Sequence, residues 1–103
     1  MEATPKELKK KIKEDKTPLL IEFWGSWCPA CQMMNKFLED FEKELEEVEL
    51  VKINLDKHPK ISDKFNISGV PTFVLINNKK EIDRKVGSQS KESLLNLIKK
   101  WKS

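Results

Sequence analysis

The chain has 103 residues, enough for one domain with a single hydrophobic core that needs neither a metal ion nor several disulfides. Charged residues make up 36% of it, and the net charge of +3 comes from 20 basic and 17 acidic residues that are interleaved along the sequence. Nucleic-acid binding is therefore disfavoured, because no basic stripe with interleaved aromatic residues occurs. No apolar run approaches membrane-spanning length, so we expect one domain over residues 1–103 and no membrane anchor.

The first half of the chain predicts a helix, a strand, a second helix and a second strand. Thr4 has the pattern of an N-cap, with proline next and Glu7 three residues later, and this helix should end before Thr17. The apolar run LLIEFW, Leu19 to Trp24, predicts a strand covered on both faces. Val48 to Leu55 predicts the second strand. Between the two strands, apolar residues recur at helical spacing: Met34, Phe37, Leu38, Phe41 and Leu45.

The second half predicts a short helix, a hairpin and a closing helix. The short helix should cover Pro59 to Phe65, and Thr72 to Ile76 should form a buried central strand. The last strand is expected near Glu81 to Val86. Ser90 should cap the closing helix, whose inward residues are predicted to be Leu94, Leu95, Ile98 and Trp101. This order is typical of a small α/β fold with a mixed sheet.

Cys28 and Cys31 are the only two cysteines, and three kinds of site can be considered for them. A structural zinc needs about four ligands, and His58 is the single histidine, so zinc is disfavoured unless two chains share it. A static disulfide across so short a loop would constrain the unfolded chain little. With no leader segment evident we expect a cytosolic protein, although a chain with its leader removed would look the same. In the cytosol a reactive pair is favoured.

The spacing of the two cysteines supports a reactive pair on physical grounds. A helix is predicted to begin at or just after Cys28, which places this sulfur at the positive end of the helix dipole. Free backbone N–H groups there favour a thiolate. The sulfur of Cys31, one turn into the helix, faces back toward the first. One cysteine can therefore attack a disulfide and the other can resolve the product.

Four stretches of the chain resemble the thioredoxin family. Phe23 to Cys31, FWGSWCPAC, is similar to the family's active-site segment, and VKINLD from Val51 is similar to one of its strands. SGVPT from Ser68 resembles its cis-proline loop, and KVGSQSKESL from Lys85 resembles its last strand and turn. The resemblance implies a thioredoxin fold, with a central mixed sheet of about four strands flanked by helices on both faces. It also implies a thiol-disulfide oxidoreductase that reduces client protein disulfides, is recycled by a thioredoxin reductase-type donor and binds no cofactor.

The resemblance assigns chemical roles to four residues. Cys28 would be the nucleophile and Cys31 the resolving cysteine. Glu22 stands where the family usually has an aspartate that accepts the proton of the resolving cysteine. It is also the only charge in an apolar run, so burial should raise its pKa. Lys52 matches the family's lysine near that acid and could pair with Glu22, although a solvated Glu22 without a catalytic role stays open.

The resemblance also implies a binding surface for client proteins. Trp27 would shape the surface beside the reactive sulfur. Pro71 would be cis and would place the backbone of Val70 where a client segment can pair with it like an added strand. Gly87 would allow a partner to approach closely. Two other interpretations stay open, a trans proline at the start of a strand and an ordinary turn glycine.

Two departures from the family pattern concern architecture. Nothing before Thr4 is long enough for the family's usual first strand, so we expect four strands and an exposed edge at Val48 to Leu55. The chain should then be a monomer, with dimerisation through this edge conceivable. Lys36 replaces a proline that often kinks the active-site helix, so we expect a straighter helix.

A third departure is the dipeptide Pro29-Ala30, where the common thioredoxin has Gly-Pro. With Cys28 as N-cap, Ala30 occupies the second helical position and can donate its N–H, which a proline there cannot. The thiolate of Cys28 would then accept two hydrogen bonds, from Ala30 and Cys31. We therefore predict a reduction potential less negative than about −270 mV, lowered again by Ala30→Pro.

Two other functions remain as alternatives to a thioredoxin-like reductant. Proline directly after the nucleophile and the short N-terminus also fit a glutaredoxin-like, glutathione-dependent exchanger. Trp27 and the turn at Gly87 argue against it, and no glutathione-binding glycine pair is evident. The second alternative is a non-catalytic interaction module on a thioredoxin fold, which the intact cysteine pair argues against.

Overall fold

A computed structural model describes residues 1–14 and 16–102, so Asp15 and Ser103 of the predicted domain lie outside the described residues. Helices and strands alternate along most of the chain, as the apolar patterns predict. A 3-10 turn, Lys100–Lys102, follows the last helix. The helices are α1 Pro5–Glu14, α2 Pro29–Glu44, α3 Lys60–Lys64 and α4 Lys91–Lys99. The strands are β1 Leu19–Trp24, β2 Glu49–Asn54, β3 Thr72–Asn77 and β4 Lys80–Val86.

The strands form one mixed sheet in the order β2-β1-β3-β4. β1 and β2 are parallel, whereas β3 is antiparallel to both β1 and β4. The central position of β1 and β3 explains why their sequences are almost entirely apolar. The predicted four-stranded α/β fold is therefore confirmed. Among the described residues, no helix is both long and apolar enough to cross a membrane.

Two apolar clusters cover opposite faces of the sheet, because alternate residues of each strand point to opposite sides. We call them the α1 face and the α2 face. The α1 face packs β1 to β3 against α1 and α3, and its buried residues are Ala3, Leu8, Leu19, Ile21, Phe23, Val51, Ile53, Ile61, Val74 and Ile76. The α2 face packs the sheet against α2 and α4, and its buried residues are Leu20, Met34, Leu38, Phe41, Val48, Leu50, Phe73, Leu75, Leu94, Leu97 and Ile98.

Side-chain caps fix where two of the helices begin. At α1, the Glu7 N–H donates to Thr4 Oγ1 at 3.2 Å, and the Thr4 N–H donates to Glu7 Oε1 at 3.0 Å. This is the reciprocal capping box that the sequence predicts. At α4, the Ser93 N–H donates to Ser90 Oγ at 3.1 Å. Both predicted N-caps are therefore confirmed.

One core assignment on α4 is wrong. Leu95 is 36% exposed, whereas Leu97 is fully buried with Leu94 and Ile98. The inward positions follow the spacing of three and four residues that one helix face allows, and Leu95 lies a quarter turn away from Leu94. Which leucines are buried was decided by how α4 docks on the sheet.

The predicted exposed edge at β2 is also partly wrong. Residues before α1 reach this edge: the Lys52 N–H donates to the Met1 carbonyl at 2.7 Å, and the Ala3 N–H donates to the Lys52 carbonyl at 2.8 Å. Glu2 and Lys52 thus form a single parallel bridge. The segment is too short to count as a fifth strand, but it occupies the outward backbone groups of Lys52 and covers part of the edge.

Candidate active site

The start of α2 positions the two sulfurs. Cys28 has extended backbone angles and is the N-cap of α2, with Pro29 as the first helical residue. The Cys31 N–H donates to Cys28 Sγ at 3.1 Å. Both cysteines are free thiols in this structure. Both cysteines are buried, but Cys28 keeps 5% exposure whereas Cys31 has none, so Cys28 lies nearer to solvent.

The second predicted hydrogen bond to Cys28 Sγ is absent from the described residues. The sulfur accepts from the Cys31 N–H alone, and the Ala30 N–H does not reach it. An N-cap acceptor serves the second or the third helical N–H, and Cys28 Sγ serves the third. The predicted reduction potential is not tested by this geometry, but one of its two supporting contacts is missing. The active-site helix runs unbroken through Lys36.

Burial distinguishes the second sulfur from the first. Desolvation raises the pKa of the Cys31 thiol to about 12, and the hydrogen bond with Cys28 adds to the rise. Nearby negative charge at Cys28 and at Glu22 opposes ionisation of Cys31 further. Cys31 therefore needs a proton acceptor before it can act as a nucleophile.

Glu22 is a buried carboxyl on the α2 face. It follows Leu20 on the same side of β1, and its side chain has no solvent exposure. Neither of its oxygens has a hydrogen-bond partner within residues 1–14 and 16–102. Burial raises the pKa of Glu22 to about 8, partly offset by the positive charge of Lys52 and reinforced by the negative charge of Glu2. The burial expected from the sequence is thus present, and the carboxyl keeps free capacity to bind a proton.

Lys52 does not pair directly with Glu22, contrary to the expectation from the sequence. The two residues are neighbours in the parallel register of β1 and β2. No ion pair or hydrogen bond joins them in the part of the chain that the structure describes. Lys52 lies half-buried at the sheet edge, so its ammonium acts on Glu22 through space.

The loop before β3 lies opposite the reactive sulfur. The Val70–Pro71 peptide bond is cis, and Cys28 Sγ lies 3.9 Å from the Val70 carbonyl oxygen. The Pro71 carbonyl accepts from the Gly87 N–H at 2.7 Å, which ties this loop to the end of β4. Within the described ranges the Val70 N–H has no hydrogen-bond partner. The Val70 N–H is therefore free to bind an extended peptide beside the sulfur, whereas the Val70 carbonyl accepts a hydrogen bond from the Cys28 thiol.

Gly87 has a backbone conformation that favours glycine. Its φ is +93°, and apart from its own chain neighbours no atom of the described residues lies within 4 Å of the position that a Cβ would take. A side chain would therefore be strained by the backbone angle and would project into open space. Both functions suggested for Gly87, a turn and a place for close approach, are compatible with this geometry.

Trp27 lies on the surface beside the cysteines. Its side chain is 70% exposed, and its indole packs against Gly25. A Cβ at Gly25 would lie 2.8 Å from Trp27 Nε1, too close for an unshifted ring. The absence of a Cβ at Gly25 therefore leaves room for the Trp27 indole beside the turn that leads to Cys28.

Three polar residues that sequence reasoning did not select hold the active-site turn. The Ser26 N–H donates to Asp56 Oδ2 at 2.7 Å, and its hydroxyl donates to the same oxygen. These two bonds, with a smaller contribution from Trp27, hold the pKa of Asp56 below its usual range. Gln32 Nε2 donates to the Ser26 carbonyl at 2.8 Å. The sequence contained one indication of the contact between Ser26 and Asp56. Asp56 follows β2, which is parallel to β1, and parallel strands end at the same edge of a sheet.

Comparison with known proteins identifies the family. A family model described as Thioredoxin matches residues 1–100. A thioredoxin of Rickettsia felis is 37% identical over 98 residues, covering 94% of this chain and 93% of that protein. The structure of Fasciola hepatica thioredoxin is 32% identical, with a TM-score of 0.85 over 94% of this chain and 93% of that one. Chloroplastic thioredoxin z is 26% identical, with a TM-score of 0.86 over 98% of this chain and 92% of that one.

The site and these relatives agree on the chemistry. A cysteine pair at a helix N-terminus carries out thiol-disulfide exchange, and neither the glutaredoxin-like nor the non-catalytic alternative is favoured by the relatives. Disulfide-containing substrates and a reductase donor follow in general terms from the family. Matched along nearly all of its length, this chain belongs to the thioredoxin family of thiol-disulfide oxidoreductases.

Proposed function

We propose that the chain reduces client protein disulfides with Cys28 as nucleophile and Cys31 as resolving cysteine. The observation that carries this assignment is the difference between the two sulfurs. Cys28 keeps a small exposed fraction and accepts a hydrogen bond from the helix N-terminus, whereas Cys31 has no exposure and a raised pKa. The Cys28 thiolate attacks first, and the Cys31 thiol acts only after the client is bound.

The exchange has two steps that balance in atoms and electrons. In the first, the Cys28 thiolate attacks one client sulfur, the client disulfide breaks and the released client thiolate takes up a proton. In the second, Cys31 loses its proton and attacks Cys28 Sγ, which forms the Cys28–Cys31 disulfide and releases the second client thiolate. Two electrons pass from the dithiol to the client, and a reductase returns them with two protons.

Glu22 is proposed as the acceptor of the Cys31 proton. Its two unpaired oxygens and its raised pKa suit a group that takes up a proton near neutral pH. Glu22 lies on the face of the sheet that α2 covers, and its negative charge contributes to the raised pKa of the Cys31 thiol. Lys52 favours the ionised form of Glu22 and thereby supports its action as a base.

The client is proposed to bind along the loop that faces Cys28. The unpaired Val70 N–H and its carbonyl can pair with an extended client segment, with Pro71 holding the loop. Trp27 supplies exposed apolar surface on one side of the sulfur, and Gly87 leaves open space at the end of β4. Pro29 and Ala30 are proposed to tune the redox potential through the helix N-terminus.

We also propose a cellular location, an oligomeric state and an electron donor for the chain. The chain is proposed to act as one cytoplasmic domain without a bound cofactor, since the dithiol supplies both electrons. It is proposed to be a monomer, because Lys52 at the β2 edge already uses its outward N–H and carbonyl within the chain. A thioredoxin reductase-type enzyme is the proposed electron donor.

The assignment of the two cysteines is tested with Cys31→Ser and Cys28→Ser. Cys31→Ser should accumulate a mixed disulfide between Cys28 and a client protein, because the resolving thiol is missing. Cys28→Ser should form no such adduct and should lose insulin-disulfide reduction completely. Mass spectrometry after alkylation measures the adduct. Trapping through Cys31 in the Cys28→Ser variant would show that the roles are reversed.

A further inference from the structure

The segment before α1 brings a carboxylate to the side of the sheet that holds Glu22. Glu2 forms a parallel bridge with Lys52, and Lys52 is the register neighbour of Glu22. Side chains of directly paired residues point to the same face of a sheet. Three charged residues thus stand in adjacent positions on three neighbouring backbone segments, and the middle one has the opposite sign.

A specific contact fixes the carboxylate of Glu2. Trp24 Nε1 donates to its two oxygens at 2.9 and 3.2 Å. Trp24 is two residues after Glu22 on the same strand and face, so this bond holds the Glu2 charge over the edge of the buried site. The bridge to Lys52 fixes the backbone of Glu2 at the same time. Glu2 is therefore held from both its main chain and its side chain.

The charged and titratable groups that act on Glu22 come from three other segments. Lys52 on β2 favours ionisation of Glu22, and Glu2 opposes it. From α2, ionised Cys31 and Glu22 would repel each other. On β3, the register neighbour is Phe73, which carries no charge. Removing Glu2 should therefore shift the balance toward the ionised carboxyl, and removing Lys52 should shift it the other way.

We propose that Glu2 is a positioning residue for the resolving step, which with Lys52 sets the charge around Glu22 and so the pH at which Glu22 becomes a base. The inference rests on the proposed role of Glu22 as proton acceptor. The contacts of Glu2 within the described residues are with Trp24 and Lys52 and not with the cysteines, so it acts through Glu22. Its hydrogen bond to Trp24 holds the charge at a fixed position near Glu22, whereas an untethered surface carboxylate would spend its time at larger distances in solvent.

The test compares Glu2→Gln, Lys52→Met and the matched control Glu47→Gln in the full chain. Gln at position 2 keeps a hydrogen-bond acceptor for Trp24 but removes the charge. Glu47 also loses one charge, but it lies in an exposed ion pair with Lys102 away from Glu22. Carbon-13 NMR of the side-chain carboxyls follows the titration of Glu22, and stopped-flow kinetics follow the pH profile of the resolving step.

We expect Glu2→Gln to lower the midpoint of the Glu22 titration and the midpoint of the pH profile of the resolving step, each by about 0.5 pH units. Lys52→Met should raise both midpoints, and Glu47→Gln should leave both unchanged. The effect of Glu2→Gln should shrink in 1 M salt, because the carboxylate is exposed. A Glu2→Gln midpoint equal to that of Glu47→Gln would overturn the inference. A merely structural Glu2 would change the unfolding temperature in Glu2→Ala without moving the midpoint in Glu2→Gln.

The Glu22→Gln variant separates this inference from the proposed function. If Glu22 is the base, the rise in the rate of the resolving step through about pH 8 should disappear in Glu22→Gln. Persistence of that rise would refute the role of Glu22. A rise that disappears in Glu22→Gln but is unmoved in Glu2→Gln would refute the role of Glu2 alone.

Discussion

The two faces of the sheet show how the same strands serve stability and chemistry. On the α1 face, the buried residues of β1 are Leu19, Ile21 and Phe23, all of them apolar. On the α2 face, β1 contributes Leu20 and then Glu22, a carboxyl with no solvent exposure and no hydrogen-bond partner in the described part of the chain. One strand therefore places an entirely apolar set on one side and a costly ionisable group on the other.

The comparison of the two faces locates the group that lowers the stability of the fold. A buried carboxyl without partners costs several kcal/mol when it is ionised, whereas each apolar side chain on the opposite face contributes about 1.5 to 3 kcal/mol by its burial. The costly group lies on the face where α2 begins with the cysteine pair. The α1 face holds the sheet together, and the α2 face carries the site.

The largest expected effect is a pH-dependent loss of stability from Glu22. Burial raises the pKa of Glu22 to about 8 in the folded chain, compared with 4.5 for a free glutamate side chain. Below pH 4.5 the Glu22 carboxyl is protonated in both the folded and the unfolded chain. Between pH 4.5 and about 8 only the folded chain keeps this proton, so the free energy of unfolding falls as the pH rises. Above about pH 8 the loss is complete. Relative to Glu22→Gln, the free energy of unfolding should fall by up to about 5 kcal/mol across this window.

Urea unfolding of both proteins in reducing buffer at pH 4, 6, 8 and 9.5 measures this difference. Reducing buffer keeps the cysteines as thiols, so that the disulfide does not contribute. Parallel curves for the two proteins at all four values would show that Glu22 titrates alike in the folded and unfolded states.

On the α1 face, Ile21→Ala should cost about 3 kcal/mol of unfolding free energy, because it leaves a cavity in a fully apolar cluster. The loss should be the same at pH 5 and pH 9, since no titratable group is involved. Ile21→Val serves as control and should cost about 1 kcal/mol. A strong pH dependence of the Ile21→Ala loss would mean that the two faces are not independent.

A smaller effect is expected from the cap of α1, the helix that covers the α1 face. Thr4→Ala removes the acceptor for the Glu7 N–H and should cost about 1 kcal/mol, whereas Thr4→Ser keeps it. On the other side of the capping box, the Thr4 backbone N–H, together with the Thr4 side chain, holds the pKa of the Glu7 carboxyl below its usual range. The contribution of the Glu7 carboxylate should therefore be lost as the pH falls below 4.5, whereas the bond from the Glu7 N–H to Thr4 Oγ1 does not depend on that ionisation. Thermal unfolding of the two variants at pH 7 and pH 3 tests both statements.

The smallest expected effect lies at the start of α2. Because the Ala30 N–H makes no hydrogen bond to Cys28 Sγ, Ala30→Pro should lower the reduction potential by less than about 30 mV, equivalent to about 1.4 kcal/mol. Equilibration with glutathione measures the potential. The double variant Pro29→Gly/Ala30→Pro avoids two consecutive prolines and serves as control. A decrease well beyond 30 mV would mean that the thiolate recruits the second N–H once it forms.

Local patterns predicted much of the fold. Patterns of a few neighbouring residues are enough to predict the capping residues Thr4 and Ser90, the buried strand LLIEFW and the turn between β3 and β4. The cysteine spacing likewise predicts two sulfurs in adjacent turns. Which leucine of α4 is buried could not be read in this way, because Leu95 and Leu97 have the same hydrophobicity and only docking on the sheet separates them.

At the active site, too, local patterns predicted some features and the packing of the chain decided others. The sequence predicts a buried Glu22, because the apolar residues on either side of it in a central strand are themselves buried. It predicts a Glu22–Lys52 pair and a second bond to Cys28 that do not form, since side-chain distances depend on strand spacing and rotamers. The contacts of Ser26 with Asp56, 30 residues apart, come from two parallel strands that end at one edge.

The order of helices and strands, the cysteine pair at a helix start and the charge in β1 follow from the sequence alone, because each depends on residues close together in the chain. The position of Glu2 beside Trp24 and Lys52, the approach of Val70 to Cys28 and the burial of Cys31 follow from the packing of the folded chain. Those relations join segments far apart in sequence, and they form only when the sheet and its helices pack together.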